Sequence, residues 1–83
     1  MKPKNLAFLI LKMLEDKYLC SNEIFMKLKM SAVDFEKDKF FPTLSQLQLN
    51  NLLCCDWLRN NKGLPVKYYH LIRNGYHYIH HSY

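Results

Sequence analysis

Glycine is almost missing from this 83-residue chain, which has two, and proline (three) and tryptophan (one) are scarce. With so little glycine there is no Gly-rich loop to cradle a phosphate. No Ser/His/Asp set or paired carboxylate stands out either, so an enzyme is not expected. Asp34, Glu36 and Asp38 cluster, but among lysines and in a loop-like segment they read as a solvated run. The three cysteines, Cys20, Cys54 and Cys55, make no even disulfide framework, and adjacent Cys54 and Cys55 do not readily pair with each other. Reduced thiols in a cytoplasm are the simplest expectation. Neither these cysteines nor His77, His80 and His81 have a zinc-ligand spacing with a second half, so no metal and no other cofactor is expected. Long apolar runs are lacking too. Leu6 to Leu11 ends at Lys12, far short of a membrane span, and follows a basic Met1–Lys4 without a cleavage site, so it reads as neither anchor nor signal.

Acid is also missing from one end. All seven Asp and Glu lie between Glu15 and Asp56, whereas Trp57 to Tyr83 holds Arg59, Lys62, Lys67, Arg73 and four histidines. The net charge of +5 is therefore one-sided, and such a distribution favours a polyanionic partner.

What the chain does have is apolar bulk. At 49% hydrophobic and 14% aromatic it reads as one globular domain, residues 1–83, of a size that often gains stability from a partner subunit. Residues 5–17 place Leu6, Leu9, Ile10, Met13 and Leu14 at helical spacing, and Ala7, Phe8 and Leu11 widen that stripe beyond one face. Ser21 or Asn22 is suited to cap a second helix, with Glu23 in its first turn and Ile24, Phe25 and Leu28 inward. Residues 31–38 read as a connection. A third helix, capped by Asp38 and running to Asn50, has Pro42 in its first turn; Phe40 or Phe41, Leu44 and Leu47 face inward. Asn50-Asn51 ends it, because Asn tolerates the left-handed conformation there. Residues 54–60 and 66–71 form a β-hairpin around "NKGLP", with Pro65 at its edge. Arg73-Asn74-Gly75 then reads as a turn before a short helix lined by Tyr76, Ile79 and Tyr83. Trp57 reads as core or as dimer surface. The order helix, helix, helix, hairpin, short helix is that of a winged helix-turn-helix domain: mainly α with a small β-hairpin, the third helix entering a groove and the hairpin forming the wing.

In such a domain, Lys62 and Lys67 reach phosphates and Gly63 lets the turn lie close. Of Tyr68 and Tyr69, alternation puts one ring in the core and the other outward, where a Tyr68 hydroxyl would meet a phosphate. Thr43, Ser45, Gln46, Gln48 and Asn50 are the candidates for base edges, with Lys37, Lys39 and Arg73 adding affinity.

The stretches "FFPTLSQLQLNNLLCCDWL" and "GLPVKYYHLIRNG" resemble the PadR family of bacterial winged-helix regulators. Phe40, Phe41, Pro42, Thr43 and Leu44 occupy that family's Leu-Tyr-Pro-Ala-Leu start of the recognition helix, and Asn51, Leu52 and Leu53 its Gly-Leu-Ile. Gly63, Pro65, Lys67, Tyr68 and Tyr69 fit the Gly-Pro-Pro-Arg-Lys-Tyr-Tyr wing, and Leu71 and Gly75 the exit. Gln46 and Val66 replace two of the family's arginines. The resemblance implies a dimeric repressor that binds double-stranded DNA. The sequence ends at Tyr83, where the family continues into a long dimer-forming helix, so the expectation is a minimal form that pairs through its broad first helix, with Leu6, Phe8 and Leu11 at the contact. Minimal winged-helix proteins also resemble the centromere-binding proteins of plasmid and phage partition systems, which would add a motor or filament partner. A third reading is a winged-helix protein–protein adaptor without DNA binding. No membrane partner is expected.

Overall fold

The computed structural model describes residues 5–31 and 34–81. Helix α1 (Leu6–Met13) starts where Asn5 Oδ1 accepts the backbone N–H of Phe8 at 2.7 Å. A left-handed Asp16 (φ 59°) turns the chain into a two-residue strand β1 (Leu19–Cys20). Helix α2 (Ser21–Met30) follows without a break. Its N-cap is Cys20, one residue before Ser21 and two before Asn22, because pairing in β1 already holds Cys20 extended. Glu23 reaches back to accept the Cys20 N–H at 3.0 Å, closing the first turn.

A single 3₁₀ turn (Lys37–Lys39) runs directly into α3 (Phe40–Leu49). Asp38 therefore lies inside that turn, and Lys39 is the cap residue of α3. Pro42 does fall in the first turn of the helix, where an N–H has no intrahelical acceptor. At the far end Asn51 adopts φ 59°, its N–H donates to Gln48 O (3.1 Å), and that of Leu52 donates to Leu47 O (3.1 Å). This is a Schellman stop, the role expected of the Asn pair.

Strands β2 (Leu53–Arg59) and β3 (Pro65–Leu71) form the hairpin, in register from Leu53↔Leu71 to Arg59↔Pro65. Pro65 is the first residue of its strand, where a missing donor is tolerated. The hairpin is not alone. Strand β1 pairs antiparallel with β3 (Leu19↔Tyr69, Cys20↔Tyr68), giving the sheet order β1-β3-β2. Helix α4 (Arg73–His81) includes Arg73, Asn74 and Gly75 in its first turn, so these residues are not a separate turn. A Cβ on Gly75 would stand 2.1 Å from the carbonyl oxygen of Leu52, so glycine is there to let α4 lie against the end of α3. Tyr83 lies outside the described residues.

The core joins all these elements. Ile10, Leu11 and Leu14 of α1 and its following turn meet Ile24 and Leu28 of α2, Phe40, Leu44 and Leu47 of α3, and Leu53, Tyr69, Leu71 and Ile79. Phe40 is the inward member of the Phe pair and Phe41 is 61% exposed. Outside the core, α4 is tied to the turn after α1. The Tyr76 hydroxyl accepts the Asp16 N–H (3.0 Å) and donates to Asp16 Oδ1 (3.1 Å), and His80 Nε2 lies 3.0 Å from Glu15 Oε2. No helix of the described residues is long and apolar enough to cross a membrane.

Candidate nucleic-acid interface

Once Phe40, Leu44 and Leu47 are buried, the rest of α3 divides into two flanks on either side of the exposed Leu49. Phe41, Ser45 and Gln48, four and three residues apart, form one of them. Phe41 borders a shallow hollow with Ser21 and Asn22 at the start of α2, and Gln48 Nε2 lies 3.6 Å from Cys55 Sγ on β2. This flank thus bridges α2 and the hairpin. Thr43, Gln46 and Asn50 form the other flank. They line a groove of about 370 Å³ with Ala7 of α1, Leu52, and Tyr78 of α4. The Thr43 hydroxyl is partly occupied, donating to Lys39 O at 2.6 Å. The five polar residues singled out in the third helix therefore do not share one surface: Gln48 meets the hairpin, Ser45 shares its side by helical spacing, and Thr43, Gln46 and Asn50 line the groove with α1 and α4.

The hairpin loop is held in shape by its own residues. Asn60 Oδ1 accepts the N–H groups of Lys62 (2.9 Å) and Leu64 (3.0 Å), and Asn60 N–H donates to Leu64 O (2.9 Å). Gly63 takes φ 75°, a conformation that side-chain-bearing residues seldom adopt. Arg59 Nη1 donates to Gly63 O at 2.6 Å, so the guanidinium braces the loop that it neighbours. Lys62 projects from this preset tip, exposed.

Alternation along the strands separates the remaining candidates. Lys67 faces the same way as buried Tyr69, whose ring centroid lies 5.5 Å from the Lys67 ammonium. Tyr68 belongs to the reverse side, opposite Asp56 and Cys20 in the sheet. There the reverse side also carries His70, with Nε2 3.0 Å from Asp56 Oδ2 and its ring stacked on Tyr18 at 4.5 Å. Tyr69 is thus the core ring and Tyr68 the outward one, on the side of the hairpin away from α3.

Lys37 and Lys39 are exposed on the 3₁₀ turn that leads into α3. Arg73, exposed at the start of α4, is separated from the hairpin loop by the whole length of β3, roughly 20 Å at strand rise. Of the three residues expected at a subunit contact, Leu6 and Phe8 are partly buried on α1 and pack on the core. Leu11 has no accessible surface at all, because the chain's own core encloses it; it is not available to a second subunit.

Of the two expectations for Trp57, core or dimer surface, the structure excludes the core. It is 68% exposed on β2, directly opposite Lys67. The signal was present in its strand position: two residues beyond Cys55, on a hairpin arm that outruns the core.

No family model and no curated protein matches the chain. Solved structures do. A PadR-like transcription factor from Bacteroides fragilis is 27% identical, with a TM-score of 0.75 over 90% of this chain and 73% of its own. A PadR family transcription regulator from Clostridium difficile is 21% identical, with a TM-score of 0.80 over 89% of this chain and 78% of its own. Bacillus subtilis PadR, solved in complex with operator DNA, is 20% identical, with a TM-score of 0.77 over 93% of this chain and 45% of its own. Over 90% of its length in the first of these matches, the chain has the PadR-like winged helix-turn-helix fold.

Proposed function

We propose that the chain is a DNA-binding transcription regulator, a dimeric repressor that sets α3 (residues 39–50 with its cap and stop) in the major groove and the wing, residues 61–67, on the backbone. The observation that carries this reading is the uncharged polar flank of α3, which at Gln48 meets Cys55 on the hairpin whose acid-free loop carries Lys62, in a PadR-like fold. Amide and hydroxyl side chains suit base edges, while Lys62, Lys67 and the exposed Lys37 and Lys39 suit phosphates. The related Bacillus subtilis structure holds operator DNA, which supports duplex DNA as the partner here. Pairing of two copies falls to α1, with the partly buried Leu6 and Phe8 at the contact, and two linked domains then engage neighbouring groove segments together.

Titration of a labelled duplex across salt, followed by footprinting on a selected site, tests the reading. A repressor gives steeply salt-dependent binding and a protected inverted repeat. An array of protected direct repeats would point instead to a partition role with a motor partner. No duplex binding at low salt would leave a protein–protein adaptor.

A further inference from the structure

Trp57 is the chain's one tryptophan, and its ring stands in solvent. Its place on the hairpin is specific. The face of the hairpin that holds Leu53, Tyr69 and Leu71 against the core continues outward through the pairs Cys55↔Tyr69, Trp57↔Lys67 and Arg59↔Pro65. Gln48 of α3 touches this same face at Cys55. Moving from α3 toward the wing tip, one therefore meets Gln48, Cys55, then the Trp57–Lys67 pair, then Arg59. All charge on that face is positive. The reverse face has Asp56, Leu58, Tyr68 and His70, and so carries the one acid of the hairpin strands.

The geometry points to the Trp57–Lys67 face as the side of the wing that lies against duplex DNA, with the indole ring packed on deoxyribose and the Lys67 ammonium meeting a phosphate. This inference rests on the DNA-binding reading above and adds to it which face of the wing is used and by which aromatic residue. An indole offers a flat apolar body that sugar carbons can cover and an N–H that donates to a phosphate oxygen. Lysine beside it supplies the counterion-releasing charge. The reverse face presents Asp56, whose carboxylate repels a phosphate, and stays in solvent.

Because Trp57 has no other tryptophan to mask it, its fluorescence reports this contact directly. Full-length protein is titrated with a short labelled duplex of mixed sequence at low salt. Anisotropy of the DNA label follows binding, and quenching by acrylamide, a neutral molecule, follows access to the indole. The expected result is a several-fold fall in acrylamide quenching as the duplex saturates. Trp57→Ala then weakens binding about ten-fold with an unchanged melting temperature, as covering part of an indole requires. Leu58→Ala, at the neighbouring exposed apolar position on the reverse face, leaves affinity as it was. Binding by anisotropy with acrylamide access unchanged overturns the inference and leaves the DNA reading standing. An equal loss from Leu58→Ala overturns the choice of face. An indole already shielded in free protein, with Trp57→Ala converting a dimer to a monomer in sedimentation, assigns the face to a second copy and overturns it as well. No anisotropy change even at low salt removes the DNA reading and this inference together.

Discussion

Replacing Gly75 by alanine sets two effects of opposite sign against each other. Gly75 lies in the first turn of α4, and helix propensity alone makes Gly→Ala there favourable by up to about 1 kcal/mol. The structure predicts the reverse. The new methyl carbon would stand 2.1 Å from Leu52 O and 3.0 Å from Leu71 Cδ2. Ordinary carbon–oxygen contact needs about 3.3 Å, so the start of α4 must part from Leu52 by roughly 1 Å. Leu52 cannot yield freely, since its N–H closes the α3 stop on Leu47 O and its carbonyl receives Ile72 N–H at 3.4 Å. Overpacking of this kind costs about 1–3 kcal/mol, and backbone is a stiffer obstacle than a side chain, which puts the cost at the upper end. Subtracting the propensity gain leaves about 1–2 kcal/mol of destabilisation. For a domain of this size that lowers the melting temperature by roughly 5–15 °C. Thermal melting followed by circular dichroism reads it directly. A Gly75→Ala variant that melts with or above the parent would show that α4 does not press on Leu52, and that its glycine is ordinary turn chemistry.

Lys62→Ala with Lys67→Ala should weaken binding to every duplex and flatten the salt slope by about 2 if each lysine meets one phosphate; an unchanged slope takes the wing lysines out of the interface. The two flanks of α3 should differ: Gln48→Ala is expected to cost on the order of 1–3 kcal/mol at the preferred site and less on unrelated DNA, whereas Gln46→Ala, in the groove with Ala7 and Tyr78, should change affinity little. Competition binding decides between them, and a larger loss from Gln46→Ala reverses the assignment. The carboxyl of Glu15 is held below its ordinary value, first by the hydrogen bond from Lys12 (3.1 Å), then by the charges of Lys12 and His80. A depressed folded-state value means that Glu15 stabilises the fold above the ordinary carboxylate range and that this is lost as pH falls through the lowered value. Melting temperatures of the parent and Glu15→Gln should therefore differ near neutrality and converge as acid takes the pH through that lowered value; a gap that persists in acid would refute the ionic origin.

Much of the fold could be read locally. Asn51 was legible as a helix stop because few residues accept φ near 59°, and Gly63 as a loop tip for the same reason. The buried stripe Phe40, Leu44, Leu47 follows from spacing, although only packing could choose between Phe40 and Phe41. Strand β1 was not legible. Two residues have no period, and their partner Tyr69 is fifty positions away from Leu19. The same limit applied to Gly75, whose reason lies in a carbonyl on another element rather than in its neighbours. Leu11 was misplaced because a broad apolar run does not say which residues a small core can enclose on all sides. For the site, residue types were readable and their shared orientation was not: the split of Gln46 from Gln48, and the turning of Tyr68 away from α3, depend on what each element rests against.

Strand β1 has a mechanical consequence. Cys20 ends β1 and Ser21 begins α2, so the start of that helix is laced through Tyr68 to the strand that forms one arm of the wing. Adjacent strands sit about 4.8 Å apart and do not slide without breaking their ladder. The two structures that border the bridging flank of α3 are thus the jaws of a caliper with a fixed opening. Under the proposed DNA-binding reading, a duplex would have to present a backbone that fits this preset gauge, and bending of the DNA, rather than spreading of the protein, would accommodate any mismatch.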